Sequence, residues 1–335
     1  MIDLIKIDAD SPVPKYKQLI DSIHQALEMQ HLKKNEKIPS INEICRRFTL
    51  SRDTVLTAFS DLQARGIITS KPGKGYYINK VSTHQQHKIF LLFDKLSPYK
   101  EILYNSIKDE LKRKGTVDIY FHHFNAKIFD TLIHESIGQF TAYVVMPIPS
   151  KSITSSLEQI PKDKLYILDR GRRIFGQTYP SVCQNFKKDV YEALKSGNDL
   201  IDKYKKLCMV YPENSNIPSD IKRGFEQYCK ERNFSHTIHK VHAEPKIQKG
   251  TAYLIFDDKN LVTLVKQAQA HQLELGKDVG IISYNDTPLK SVVANGITTI
   301  STDFEGMGRT LVQMILNKKR DHIENPCRLI RRNSL

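Results

Sequence analysis

Residues 39 to 79 constrain this chain more tightly than any other stretch. The run opens Pro39-Ser40-Ile41-Asn42-Glu43-Ile44-Cys45-Arg46-Arg47-Phe48-Thr49-Leu50-Ser51-Arg52-Asp53-Thr54-Val55 and continues to Leu62-Gln63-Ala64-Arg65-Gly66-Ile67-Ile68. Ser40 can accept from backbone N–H groups near Glu43, so a short helix starts there. Ser51 opens a second helix with Arg52 and Thr54 in its first turn. Val55, Ala58, Phe59 and Leu62 recur at helical spacing, which buries one face and leaves the other exposed. Gly66 fits the left-handed position that ends a helix. Two strand-like runs follow, Ile67-Ile68-Thr69 and Tyr76-Tyr77-Ile78, joined by the basic, glycine-containing tip Lys71-Pro72-Gly73-Lys74-Gly75. Two helices with a tight turn and a hairpin behind them make a helix-turn-helix with a wing.

This pattern resembles the winged-helix domain of GntR-family transcription regulators over about residues 10 to 80. The resemblance implies DNA binding by the N-terminal end of the second helix and by the wing. It assigns Arg52 and Thr54 to base or phosphate contact, Ser40 to phosphate contact, and Gly73, Lys74 and Gly75 to the wing. Asn42 and Ser51 complete the expected DNA-binding set. Many family members carry an arginine one turn after the Ser-Arg pair, where this chain has Leu56, so the base-reading set is thinner or shifted. One short recognition helix reads few base pairs, so a homodimer on a pseudo-palindromic operator is expected.

The formal charge of +14 favours polyanionic partners, and its distribution matters more than its size. Residues 31 to 80 hold ten Lys/Arg against four Asp/Glu, whereas residues 1 to 30 hold three against five. No run of 18 apolar residues suggests a membrane span, and the start lacks a secretion signal's basic-then-apolar form. The five cysteines (45, 183, 208, 229 and 327) are scattered without a Cys-x-x-Cys pair, which fits a reducing cytoplasm better than disulfides or a zinc site.

A length of 335 residues points to two domains. The expected division is residues 1–79 for the winged helix, a polar linker at 80–87, and 88–335 for the rest. Ahead of the helix pair, Pro14 to Met29 forms an amphipathic helix with Leu19, Ile20, Ile23 and Leu27 on one stripe. After residue 88, short apolar strands alternate with helices. The predicted strands include 88–93, 117–121, 142–146, 165–168, 207–210, 237–241, 252–256 and 278–283, and one of the predicted helices spans 152–159. Such alternation argues for parallel sheets covered by helices, with ligands bound beyond the strands' carboxyl ends.

The segments Ile281-Ile282-Ser283-Tyr284-Asn285-Asp286-Thr287, Ile297 to Phe304, Met307-Gly308 and Arg332-Asn333-Ser334 resemble LacI-type effector domains, relatives of periplasmic sugar-binding proteins. Leu165 to Arg170 and Ser181 to Asn185 match mid-chain segments of that family in order. Together the two resemblances imply an N-terminal winged helix-turn-helix (α+β) joined to a two-lobed α/β periplasmic-binding-protein-like domain with parallel sheets. They also imply a small-molecule effector, a sugar or sugar phosphate, held by directional polar groups and covered by an aromatic ring. The candidates at strand ends are Asp94, Tyr99, Asp169, Arg170, Asn185, Arg223, Asp257 and Asn285. Asn285 and Asn185 stand where the family has acidic residues, and Ile221 stands where an arginine usually grips the ligand. With no Trp in the chain, Tyr99, Tyr284 or a Phe must stack on the ligand. Lys222, Arg223, Arg170 and Arg172 leave a phosphorylated effector open.

His236, His239 and His242 are spaced by three along a predicted strand and its exit, which turns them to different faces, so no metal is expected. His122-His123 reads as a strand end. Nucleophile-elbow, Walker and His-Glu-x-x-His motifs do not occur, so no catalysis is expected. The expected function is an effector-controlled repressor of a carbohydrate-utilisation operon that needs no cofactor. The alternative is a GntR-type regulator fused to a pyridoxal-phosphate-binding, aminotransferase-like domain. That fold needs a Schiff-base lysine and more chain than the 248 residues from 88 to 335.

Overall fold

A computed structural model describes residues 1–64, 66–79, 87–148, 150–175, 178–212, 216–241 and 245–335. Linker residues 80–86, Arg65 and His242 fall outside it. The chain forms two compact units, one made of Met1–Leu92, Leu111–Val144 and Ser152–Leu165, the other of Phe93–Glu110, Val145–Lys151 and Tyr166–Leu335.

The first unit begins with α1 (Lys15–Glu28), α2 (Ile41–Phe48), α3 (Arg52–Ala64) and the antiparallel pair β1 (Ile68–Lys71) and β2 (Gly75–Ile78). The predicted stripe Leu19, Ile20, Ile23 and Leu27 of α1 packs with Ile44 of α2, with Val55, Ala58, Phe59 and Leu62 of α3, and with Ile68 and Ile78 of the hairpin. Tyr76 meets Phe59 edge-on at 4.7 Å, which ties hairpin to helix. Within the same unit α1 also touches residues beyond the winged helix. The Lys164 ammonium pairs with Asp21 at 2.8 Å, and Lys17 donates to the Gly138 carbonyl. Gly138 sits at φ 75, and a Cβ there would lie 3.0 Å from the Pro14 ring, so glycine permits this approach.

Beyond the hairpin the strands are β3 (His87–Phe93), β4 (Gly115–Phe121), β5 (Ala142–Val145), β6 (Leu165–Asp169), β7 (Ser181–Cys183), β8 (Lys206–Pro212), β9 (His236–Val241), β10 (Thr251–Ile255), β11 (Gly280–Tyr284), β12 (Thr298–Thr302), β13 (His322–Glu324) and β14 (Cys327–Ile330). The helices are α4 (Pro98–Leu111), α5 (Ala126–Ser136), α6 (Thr154–Glu158), α7 (Arg172–Phe175), α8 (Phe186–Ser196), α9 (Asn198–Ile201), α10 (Ser219–Glu231), α11 (Asp258–Ala270) and α12 (Phe304–Leu316). The strands form two six-stranded sheets, ordered β13-β7-β6-β5-β3-β4 and β14-β12-β11-β10-β8-β9. Every residue of β5, β6, β10, β11 and β12 is buried, the condition of strands covered on both faces.

The sheets are built mainly of parallel strands, as expected, and β14 runs antiparallel to β12 at the edge of one of them. One expectation needs correction. The helix expected over 152–159 is a 3₁₀ turn, Lys151–Ile153, followed by the five residues of α6.

The C-terminus clasps the second sheet. Ser334 donates to the Ile281 carbonyl at 2.6 Å and accepts from Thr298 N–H at 2.8 Å, while Leu335 is buried. Arg332 makes a two-pronged pair with Asp286 at 2.7 and 2.8 Å, joining the end of the chain to the turn after β11. The Arg332-Asn333-Ser334 motif thus has a structural task. No helix among the described residues is long and apolar enough to cross a membrane.

Candidate DNA-binding surface and effector site

The helix pair is built for rigid presentation. The Ser40 hydroxyl accepts from Glu43 N–H at 3.3 Å while the Glu43 carboxylate accepts from Ser40 N–H, a reciprocal cap that fixes the start of α2. Ser51 caps α3 by accepting from Thr54 N–H at 3.2 Å, and the Ser51 and Thr54 hydroxyls bond each other at 2.8 Å. Arg52 is exposed, and its guanidinium donates to the Asn42 side chain at 3.0 Å. That bridge holds Arg52 between the two helices before any partner arrives. At the wing tip, Gly73 and Gly75 adopt φ 68 and 100, and Lys74 projects into solvent between them. The Lys71 ammonium lies 4.5 Å from the Tyr77 ring centre. The expected DNA-binding residues therefore lie on the two helix starts and the wing.

In the second unit, Asp94 follows β3, Asp169 ends β6 with Arg170 next, Asn185 follows β7, Asp257 follows β10 and Asn285 follows β11. Asp94 and Lys100 are each 1% exposed and pair with one another. Arg170 reaches Asp94 at 3.4 Å, lies 3.9 Å from Asp169, and donates to the Asn216 carbonyl at 3.2 Å. Gln184 donates to the Asp169 carboxylate. Tyr99 stacks on Phe304 with ring centres 4.9 Å apart. Burial pulls the Lys100 ammonium below its ordinary range against the opposing charge of Asp169. Burial likewise pushes the Tyr284 phenol well up, helped by Cys327, Asp189, Asp169 and Tyr99 around it.

Asn285 occupies a left-handed turn at φ 61, held by Lys290, whose ammonium donates to the Tyr284 and Asn285 carbonyls at 3.1 and 2.7 Å. Several buried polar atoms here have no hydrogen-bond partner within the protein: the Asn285 side-chain oxygen, the Tyr284 hydroxyl, the Gln184 side-chain oxygen and Asp189 Oδ2.

Not every candidate joins this group. Arg223 is exposed on α10 and pairs with Asp220 one turn back at 3.0 Å. Both oxygens of Asp257 are committed to Asn260, capping α11 at 2.8 and 2.7 Å. Asn185 donates to Glu324 on β13 at 3.1 Å. The sequence reading passed over Lys100 and Asp189, which sit in helix starts without any motif around them, and Gln184, although it lies within the Ser181 to Asn185 segment. His236 packs edge-on against Phe225, and His239 lies on the opposite face of β9 by strand alternation. His122 closes β4 by accepting from Phe124 N–H at 3.1 Å, as a strand end should.

Residues 15–78 match the model of bacterial regulatory proteins of the gntR family, and residues 202–335 match that of a periplasmic binding protein-like domain. Similarity to the Bacillus subtilis regulator YcxD, 34% over 68 residues, spans only 15% of that protein's length. The B. subtilis transcriptional repressor YtrA is 30% identical over 106 residues, which are 32% of this chain and 78% of YtrA. The Streptococcus thermophilus regulator GalR is 23% identical over 84% of this chain and 89% of its own. The Lac repressor bound to ONPG in its repressed state superposes with a TM-score of 0.62 at 17% identity, over 85% of this chain and 90% of that one, which shows the shared fold. These matches leave the pyridoxal-phosphate alternative without support. The chain therefore belongs to the gntR family of bacterial regulatory proteins, and joins that family's helix-turn-helix to a periplasmic-binding-protein-like domain.

Proposed function

We propose that the chain is a non-catalytic, cytoplasmic transcriptional repressor that binds operator DNA as a homodimer and is controlled by a small sugar or sugar derivative. The observation that carries the effector half is the set of unpartnered buried polar atoms around Tyr284, Gln184, Asp189 and Asn285. Each such atom costs about 1–3 kcal/mol when left unpaired, and a polyhydroxylated ligand would satisfy several together. Tyr99, stacked on Phe304, and Phe256, whose ring centre lies 5.5 Å from that of Tyr284, supply aromatic surface beside these atoms. The likeness to GalR and to the Lac repressor supports the same reading.

The dimer reading rests on apolar groups left in solvent. Leu289 and Val292 are 64% and 70% exposed, and Val262 on α11 is 47% exposed. Lys290, between the first two, lies 3.7 Å from Asp258 at the start of α11, which brings this turn and that helix together. Leu289→Arg with Val292→Arg is expected to yield monomers in sedimentation analysis and to weaken operator binding at least tenfold.

Ligand occupancy is proposed to reach the winged helix through α1, which the Lys164–Asp21 and Lys17–Gly138 contacts tie to residues beyond the linker. Selecting bound sequences from random DNA with the full chain, then screening sugars for release, tests the function. A two-fold pseudo-palindrome and release by a sugar are the expected results. Asn285→Ala is expected to weaken the releasing sugar tenfold or more in calorimetry. Failure of the whole panel to bind would remove the effector half.

A further inference from the structure

The charges buried at the strand ends do not balance. Asp94 and Asp169 face Lys100 and Arg170, two acids against two bases. Asp189, in the first turn of α8, is a third acid, 7% exposed, and one of its carboxylate oxygens has no partner. The neighbouring acid, Glu324, is paired with Lys188 at 2.8 Å and accepts from Asn185 at 3.1 Å; its charge repels that of Asp189 more than Lys188 relieves it. Burial first, and Glu324 second, push the Asp189 carboxyl up to about 7. A buried acid in this state is stabilised by any cation that can reach it.

Among the described side chains, the groups that would favour an anionic ligand already have acidic partners. Lys222 and Arg223 pair with Glu226 and Asp220 on the outer face of α10, and both bases of the cluster are matched by Asp94 and Asp169. The two bases of the cluster, Lys100 and Arg170, are held in ion pairs, and the unpartnered oxygens of Gln184, Tyr284 and Asn285 are neutral. Tyr284 is a residue 94% removed from solvent and within electrostatic reach of both Asp189 and Asp169.

We propose that the effector carries a protonated amine, seated between the Asp189 carboxylate and the Tyr284 hydroxyl, so that an amino sugar is preferred to the neutral and phosphorylated forms of the same sugar. This rests on the sugar reading of the site and narrows it. The ammonium supplies the missing positive charge to Asp189 and the missing donor to the Tyr284 oxygen, while a phosphate would add repulsion.

Calorimetric titration of the full-length chain with matched triplets tests it: glucose, glucosamine and glucose 6-phosphate, then galactose, galactosamine and galactose 6-phosphate. At pH 7 the amine of at least one triplet is expected to bind tenfold or more tighter than its parent sugar, with the phosphate weakest. Asp189→Asn is expected to narrow that preference to under threefold, and Asp189→Glu to retain part of it. Tyr284→Phe, which removes one hydroxyl, gives a second reading should Asp189→Asn fold poorly, and it too is expected to reduce the amine preference. Parent sugars binding as well as their amines, a phosphate binding best, or a preference that survives both Asp189→Asn and Tyr284→Phe would overturn the inference while leaving the sugar reading intact. If no member of either triplet binds, the sugar reading itself fails, and this inference with it.

Discussion

Lys100→Met is expected to lower the stability of the chain by about 3–5 kcal/mol, because it leaves a carboxylate buried beside a partner too few. Asp94 is 1% exposed, and Arg170, at 3.4 Å and shared with Asp169, cannot replace an ammonium in contact. The double variant Asp94→Asn with Lys100→Met removes both charges together and is expected to recover most of the loss, since replacing a whole buried pair is often neutral. Chemical denaturation of the three variants checks the ordering. The double variant also separates structure from ligand recognition: it should fold yet bind the effector weakly, because the polar wall it removes adjoins Tyr99. A double variant that binds the effector as the parent does would make the pair purely structural.

Arg52→Ala is expected to cost about 1–3 kcal/mol of operator affinity and to narrow the gap between operator and random DNA. The Asn42 bridge gives the reason for so large an effect from one exposed side chain: the guanidinium is already ordered across the two helices. Lys74→Ala, at the wing tip, should weaken operator and random DNA alike and reduce the salt dependence by about one ion. Equal loss on both DNAs for Arg52→Ala would move base reading away from the start of α3.

The helix pair was legible in the sequence because its signals are local. Ser40 with Glu43, Ser51 with Thr54 and the glycine at 66 each act within four residues. The strands β3, β5, β6, β10 and β11 were legible as apolar runs because both faces are covered. β12 was not, because its buried positions are largely Thr and Ser. Their hydroxyls are satisfied by distant backbone, Thr298 by the Arg332 carbonyl and Thr302 by the Pro326 carbonyl. β7 and β13 have three residues each and β14 four, too short to show a period.

The same difference separates the parts of the candidate effector site. Strand ends carrying Asp94, Asp169 and Asn285 could be placed from the alternation alone. Asp257 was placed correctly after its strand, but its carboxylate serves a local cap that sequence position cannot distinguish from a ligand group. Asp189 comes within electrostatic reach of Tyr284 across 95 positions of chain, and no spacing rule joins them. Arg223 followed a family motif into a helix whose polar face turns to solvent.

Control of operator binding by a ligand held at the strand ends can be read from both affinities measured on the same full-length protein. Operator affinity is determined by fluorescence anisotropy with and without saturating sugar, and sugar affinity by calorimetry with and without saturating operator. Linkage requires the two factors to be equal, and each ligand is expected to weaken the other by about tenfold or more, at least about 1.4 kcal/mol of coupling. A sugar that binds the full chain yet leaves operator affinity unchanged would rule out such control.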